Sequence, residues 1–238
     1  MGSRLAILGF HKIGEPSDGG YPSWNYVSLD RFAEYLSLLR EEGWTGIDVS
    51  RFTAALHGST QLPDRSVLIT FDDGYRSTLT EALPCLRDFR LPAVVFVPTL
   101  YVGGFNTFDR DVEPEEAMCS WDELLELQAN GVAIQAHGVT HRPLSSLDGE
   151  GLRDELVQSK GTLEEMLGSP VEVFAYPYGD AGHPLLTPEL MASIGYRAAC
   201  LYGGGAISFD GNFPLPYRVP RLALGPDSDL KAMLSANA

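Results

Sequence analysis

"SVLITFDDGY", Ser66 to Tyr75, is an apolar run that ends in two adjacent carboxylates, a glycine and a tyrosine. The run itself, rich in β-branched and aromatic residues, has the composition of a buried strand. Asp72-Asp73-Gly74 reads at first as turn chemistry, since Asp tolerates capping and left-handed conformations and Gly supplies them freely. Two adjacent negative charges nevertheless repel each other at the end of such a strand. The choice between a turn and a site depends on where the rest of the chain puts its strands and its reactive side chains.

Outward from this strand the same unit repeats. Before it lie a strand at "LAILGF" (5–10), a helix over 28–43 and a short helix over 50–56. The longer helix has Phe32, Tyr35, Leu36 and Leu39 at helical spacing, a cap at Ser28 or Asp30 and a stop at Gly43. After it come a helix over 80–89 that Pro84 interrupts or initiates, and a strand at "AVVFV" (93–97). A helix then opens on the capping box Ser120 and Glu123 and closes on Gly131. Strands at 132–136, 171–176 and 196–202 alternate with helices over 151–167 and 187–195, and 217–224 is a last extended segment. Repeated strand-helix units predict a largely parallel sheet covered by helices. About seven strands favour an α/β fold of the distorted (β/α) barrel, TIM-like type. No Pro- or Ser-rich linker divides the chain, so one domain over 1–238 is expected.

The formal net charge of -15 argues against nucleic acid, which requires clustered Lys and Arg to replace phosphate counterions. Cys85, Cys119 and Cys200 are odd in number and far apart, so buried free thiols are expected rather than a zinc ribbon or redox pair. The N-terminal apolar run is too short for a signal-peptide core or a bilayer span. A soluble, cytoplasmic chain is expected, unless an export signal has been trimmed from before Met1-Gly2-Ser3.

The reactive residues fall at corresponding places on this map. His11 follows the first strand, Asp72 and Asp73 follow 66–71, "HGVTH" (His137 to His141) follows 132–136, and "PYGD" (Pro177 to Asp180) follows 171–176. In parallel α/β folds the C-terminal ends of the strands form the edge where sites are assembled. Singly, each feature is ordinary structure; together they outweigh the turn reading. His137 and His141, four residues apart, can point the same way across one helical turn and bind a cation through imidazole nitrogens. Either aspartate could supply a third ligand, leaving an open position for water as in a catalytic zinc site. The other aspartate could then remove that water's proton.

"TFDDG", "HGVTH" and "FAYPYG", in this order and spacing, resemble the polysaccharide deacetylases of carbohydrate esterase family four, the NodB homology domain, and the likeness spans nearly the whole chain. The resemblance implies metal-dependent removal of N-acetyl, less often O-acetyl, groups from a saccharide. It implies Asp72 as base, Asp73, His137 and His141 as metal ligands, and the Tyr178 backbone N–H as oxyanion donor. It implies zinc first, with nickel, cobalt or iron as alternatives. Two positions depart from the family pattern: Ala175 stands where an orienting Arg is usual, and the late Leu-x-His motif that supplies the acid is missing. "LAILGFHKIG" resembles the branch of the poly-N-acetylglucosamine deacetylases, which implies His11 as acid, and Arg221 of "VPR" is a candidate for the missing Arg.

Competing readings are a related amidase or imidase on a small substrate, a carbohydrate-binding pseudoenzyme, and a non-haem iron oxygenase using two histidines and a carboxylate. Tyr75, Tyr101, Phe105, Phe108 and Tyr178 are candidate sugar-stacking aromatics, with Tyr75 and Tyr178 foremost, and the loop Gly103 to Glu116 is expected to shape the groove.

Overall fold

The run that ends in the two aspartates forms a strand, Arg65–Phe71, in which every residue after Arg65 is buried. It pairs in parallel with Ser3–Phe10 on one side and Ala93–Val97 on the other. Such burial suits a strand covered on both faces. The computed structural model describes residues 3–17, 19–20, 22–209 and 213–235. Met1 and Gly2, which bear on the export-signal expectation, lie outside the described residues.

The strands are β1 (Ser3–Phe10), β2 (Lys12–Ile13), β3 (Tyr26–Val27), β4 (Thr45–Gly46), β5 (Arg65–Phe71), β6 (Ala93–Val97), β7 (Val132–Ala136), β8 (Val173–Ala175), β9 (Ala198–Cys200), β10 (Ile207–Phe209) and β11 (Leu222–Ala223). The main sheet runs β10-β1-β5-β6-β7-β8-β9, with β4 on β5 and β11 on β1. β10 is antiparallel to β1, and the other pairings are parallel. The sheet is curled and surrounded by helices, a distorted barrel of TIM type. The segment 219–224 spans its two edges. Val219 exchanges backbone hydrogen bonds with Ala199 and Leu201 on the β9 side, while Leu224 N–H donates to the Gly9 carbonyl of β1.

The helices are α1 (Leu29–Glu41), α2 (Val49–Leu56), α3 (Leu83–Phe89), α4 (Trp121–Ala129), α5 (Gly149–Leu167), α6 (Pro188–Ile194) and α7 (Leu230–Ser235). Ser28, Asp48, Ser120, Asp148 and Thr187 cap α1, α2, α4, α5 and α6, each side chain accepting from a backbone N–H of the first turn. Pro84 falls in the first turn of α3, where its missing N–H is harmless, after a π-helical turn at Thr78–Ala82.

Alternate residues of each strand enter different cores. Leu5, Ile7, Leu68, Val94, Phe96, Val173, Ala175, Ala198, Cys200 and Val219 meet in one cluster inside the curl. Their strand neighbours, among them Ala6, Leu8, Val67, Ile69, Val95 and Ile134, pack outward against the helices.

Several expectations need correction. The strands expected over 171–176 and 196–202 are reduced to three residues each, because Pro170 and Pro177 bracket the first and both Arg197 and Ala198 donate to the same Glu172 carbonyl. β10 was not expected, because its alternation, Ile207-Ser208-Phe209, is only three residues long. Cys119 and Cys200 are buried free thiols, whereas Cys85 is half-buried. Among the described residues no helix is long and apolar enough to cross a membrane.

Candidate active site

Strand parity delivers the reactive side chains. His11 continues the inward row Leu5, Ile7, Gly9; Asp72 continues Leu68, Thr70; and His137 continues Ala133, Gln135. The three therefore share one face at the C-terminal end of the barrel. Asp72 still belongs to the ladder, its N–H donating to the Phe10 carbonyl at 2.8 Å. Asp73 and Gly74 then leave it in left-handed conformations, φ 71° and 78°, which Asp tolerates and Gly favours. A side chain at Gly74 would also press on Val97, 3.2 Å from its methyl group. This bend sends the two neighbouring carboxylates to different partners.

Asp72 faces Arg221. The guanidinium Nη1 and Nη2 donate to Asp72 Oδ1 and Oδ2, both at 2.7 Å, and Arg221 is fully buried. The fork is itself aimed, since Nε donates to the Leu201 carbonyl at 2.7 Å and Nη1 to Thr70 Oγ1 at 3.1 Å. Burial alone would raise the pKa of Asp72; the charge and hydrogen bonds of Arg221 outweigh it and hold the carboxyl below its ordinary value. His11 Nε2 lies 4.0 Å from Asp72 Oδ2, and Tyr202 Oη is 3.3 Å from His11 Nδ1. Burial lowers the pKa of His11 against the pull of Asp73 and Asp72.

Asp73 faces the two other histidines. Its Oδ1 lies 3.3 Å from His137 Nε2 and 3.0 Å from His141 Nε2, and all three residues are buried. The tautomers follow from the outer partners. A carbonyl only accepts, so the 2.8 Å contact to Ala175 O puts the proton of His137 on Nδ1. Tyr178 Oη donates to Asp109 Oδ1 at 3.0 Å and so accepts from His141 Nδ1 at 3.2 Å. Both Nε2 lone pairs then point at a carboxylate oxygen that has no hydrogen-bond donor. A cation among the three relieves that arrangement, and the ligand atoms lie within 4.8 Å of one another. Without a cation the additional proton would sit on an imidazole rather than on Asp73, where burial raises the pKa of the carboxyl but His141 and His137 outweigh it and hold it well below its ordinary value. Burial opposes that charge on His137, yet the hydrogen bond that the added proton would make to Asp73 and the charge of Asp72 raise its pKa. The residues thus fit a divalent metal with two nitrogens and one carboxylate oxygen.

The two histidines do not meet across a helical turn as the spacing suggested. Residues 137–141 form an irregular loop, with His141 at φ 58°. The loop is held by Glu155 of α5, whose buried carboxylate accepts from the Val139 N–H at 2.5 Å, from the Thr140 N–H at 3.0 Å and from the Thr140 hydroxyl. A side chain at Gly138 would sit 2.6 Å from that carboxylate. Glu155 escaped the sequence reading. Its one signal is a charge on the buried stripe of α5, between Leu152 and Leu156.

Tyr75 is corrected as a stacking residue. It is 2% exposed, its hydroxyl accepts from Asn106, and the Lys12 ammonium lies 4.8 Å from its ring centroid. Phe108 covers the His141 ring, with centroids 4.1 Å apart, and Tyr101 packs behind it. Phe105 and Tyr178 keep exposed rings. His11, Asn25, Asp72, Asp73, Asp109, His137, His141, Tyr178 and Tyr202 line a cavity of about 120 Å³. A larger cleft of about 640 Å³ beside Lys12, Tyr26 and Arg76 shares no lining residue with it.

The profile of the family described as polysaccharide deacetylase matches residues 59–199, more than half of the chain. The chain belongs to the polysaccharide deacetylase family. Among solved structures, IcaB from Ammonifex degensii superposes with a TM-score of 0.82 at 27% identity, over 100% of this chain and 99% of that one. The Streptococcus pyogenes deacetylase PplD, in complex with acetate, superposes with a TM-score of 0.80 at 21% identity, over 98% and 99%. The poly-β-1,6-N-acetyl-D-glucosamine N-deacetylase of Escherichia coli (strain K12) is 39% identical over 68 residues, 29% of this chain and 10% of that enzyme. These likenesses fit the family-four, NodB-type deacetylases and the IcaB-like branch.

A cation held by Asp73, His137 and His141 should be released when one of the three is removed. His137→Ala is expected to weaken zinc binding at least tenfold and to abolish turnover, read by chelator competition and acetate release. Unchanged zinc affinity would remove Asp73, His137 and His141 as the site.

Proposed function

We propose that this deacetylase removes N-acetyl groups from a poly-N-acetylglucosamine-type saccharide, with zinc held by Asp73, His137 and His141. The observation that carries the reading is a buried carboxylate oxygen faced by two imidazole lone pairs, next to a second carboxylate clamped by an arginine. When bound, the metal lowers the pKa of a water toward neutrality and polarises the acetyl carbonyl.

Asp72, aimed by Arg221, takes the proton of the attacking water. The Tyr178 backbone N–H, in the first turn of the short 3-10 element Pro177–Gly179, donates to the oxygen on which negative charge develops. The proton taken by Asp72 can pass across the 4.0 Å gap to His11 Nε2, which then gives it to the departing amine. Water's hydroxyl ends on the acetyl carbon and its proton on the sugar nitrogen.

The cavity of about 120 Å³ is small beside the ~300–1,000 Å³ of pockets that enclose a whole ligand. It suits one acetamido substituent of a molecule that stays outside, which favours a saccharide over a small amide enclosed entirely. Tyr178, 55% exposed as a residue, offers that molecule an aromatic face. Neighbouring enzymes of this kind include the E. coli poly-β-1,6-N-acetyl-D-glucosamine N-deacetylase, and the substrate class is carried over from it.

Acetate release from N-acetylglucosamine oligomers, with zinc-loaded against chelated protein, tests the reading; no release from fully zinc-loaded protein would overturn it. His11→Ala separates the acid from the metal. It is expected to keep zinc and lose about 10²–10⁴-fold in turnover on the amide. On an acetyl ester whose leaving group departs as a stable phenolate, the loss should be much smaller. Equal losses on both substrates would remove His11 as the acid.

A further inference from the structure

We propose that Asp109 is a positioning residue for the metal ligand His141, acting through the hydroxyl of Tyr178. The inference rests on the metal site of the preceding reading and concerns its outer partners.

The two histidines are oriented by different means. His137 donates to a backbone carbonyl, Ala175 O, which β8 fixes. His141 has instead a side chain from another loop: its Nδ1–H donates to Tyr178 Oη at 3.2 Å. A hydroxyl can accept or donate, so by itself it would permit either tautomer of His141. The 3.0 Å bond from Tyr178 Oη to Asp109 Oδ1 removes that freedom. With its hydrogen committed to Asp109, Tyr178 accepts from His141, and the Nε2 lone pair is directed at Asp73 Oδ1, 3.0 Å away.

Backbone geometry supports the assignment. His141 and Tyr178 both hold left-handed conformations, φ 58° and 57°, which are unfavourable for residues with side chains. Such conformations persist where surrounding contacts fix them. Asp109 comes with Phe108, whose ring covers His141 at 4.1 Å, so adjacent residues of one loop hold the imidazole by its face and by its far nitrogen. The loop is anchored elsewhere, since Glu113 accepts from Lys12 Nζ at 2.6 Å, from Ser23 Oγ at 2.6 Å and from Asn25 Nδ2 at 2.8 Å.

Outer partners of metal-bound histidines typically contribute ~10–100-fold in metal affinity. Zinc dissociation constants measured by chelator competition, for wild type, Asp109→Ala, Asp109→Asn, Tyr178→Phe and the double variant Asp109→Ala/Tyr178→Phe, test the relay. Asp109→Ala and Tyr178→Phe should each weaken zinc by about 10–100-fold. Asp109→Asn keeps an acceptor oxygen and should restore most of the affinity. The double variant should bind no more weakly than Tyr178→Phe, because both substitutions break one chain of contacts. Melting of the zinc-free proteins checks that each variant is folded. Wild-type affinity in Asp109→Ala, additive losses in the double variant, or no rescue by Asp109→Asn would overturn the inference while leaving the metal site standing. A wild type that binds zinc no better than His137→Ala would overturn the site and the relay with it.

Discussion

Asp72→Asn is expected to lower acetate release by ~10²–10⁴-fold, the range a positioned proton-transfer group supplies, while zinc stays bound. Asn keeps the shape and removes the charge, so the attacking water loses its acceptor. Asp73, His137 and His141 are untouched, and zinc affinity should therefore change little. The substitution also disturbs the fold. Arg221 is fully buried and donates to both oxygens of Asp72. Asn can accept only one of those bonds, and its amide N–H turns toward the other donor. Losing one member of a buried ion pair destabilises by ~3–5 kcal/mol, and the retained acceptor places this variant toward the lower end. Activity and zinc occupancy should therefore be read on one sample whose melting curve shows it folded at the assay temperature. A folded, zinc-loaded variant within tenfold of wild type would remove Asp72 from the role of base.

The barrel was legible because its signals are local. Runs such as Val67 to Phe71 and Ala93 to Val97 are apolar on both faces, as strands inside an α/β fold require, and the helices carry side-chain caps that can be read by eye. The lengths of β8 and β9 were not legible, since they depend on how Arg197 and Ala198 share one carbonyl, which is a property of the paired strands. β10 owes its existence to an edge of β1 left open for it, and three residues beyond a glycine run give no period to detect.

The site was legible where chemistry repeats at strand ends. His11, Asp72, Asp73, His137 and Tyr178 each follow a strand, and the structure brings all five to one cavity. Residues that act on these from a distance were harder to read. Glu155 lies in the middle of a helix and Asp109 in a loop of mixed charge; neither forms a pattern with the groups it holds. Tyr75 was misread because an aromatic beside a pair of carboxylates at a strand end looks the same in sequence whether its ring faces a groove or the Lys12 ammonium.

Arg221→Met is expected to destabilise the protein by about 3–5 kcal/mol and to lower turnover by about 100-fold. Met fills much of the same volume but leaves the Asp72 carboxylate, 2% exposed, without the fork that neutralises it. Thr70 Oγ1 and the Leu201 carbonyl lose a donor as well. Arg221→Lys should recover part of the stability, and less of the activity, because an ammonium cannot bind both carboxylate oxygens in the plane that aims them. The double variant Asp72→Asn/Arg221→Met separates pairing from packing. With both charges gone it should be more stable than the sum of the single losses predicts, by about 0.5–3 kcal/mol, in denaturant unfolding. Additive losses, or an Arg221→Met protein as active as wild type, would show that the guanidinium merely occupies space. Arg221 lies in the segment 219–224 that spans the β9 and β1 edges, so its pair with Asp72 joins closure of the barrel to the orientation of that carboxylate. Ala175, where the family resemblance implies an orienting arginine, faces the same barrel interior, and a guanidinium entering from 219–224 reaches Asp72 without one on β8.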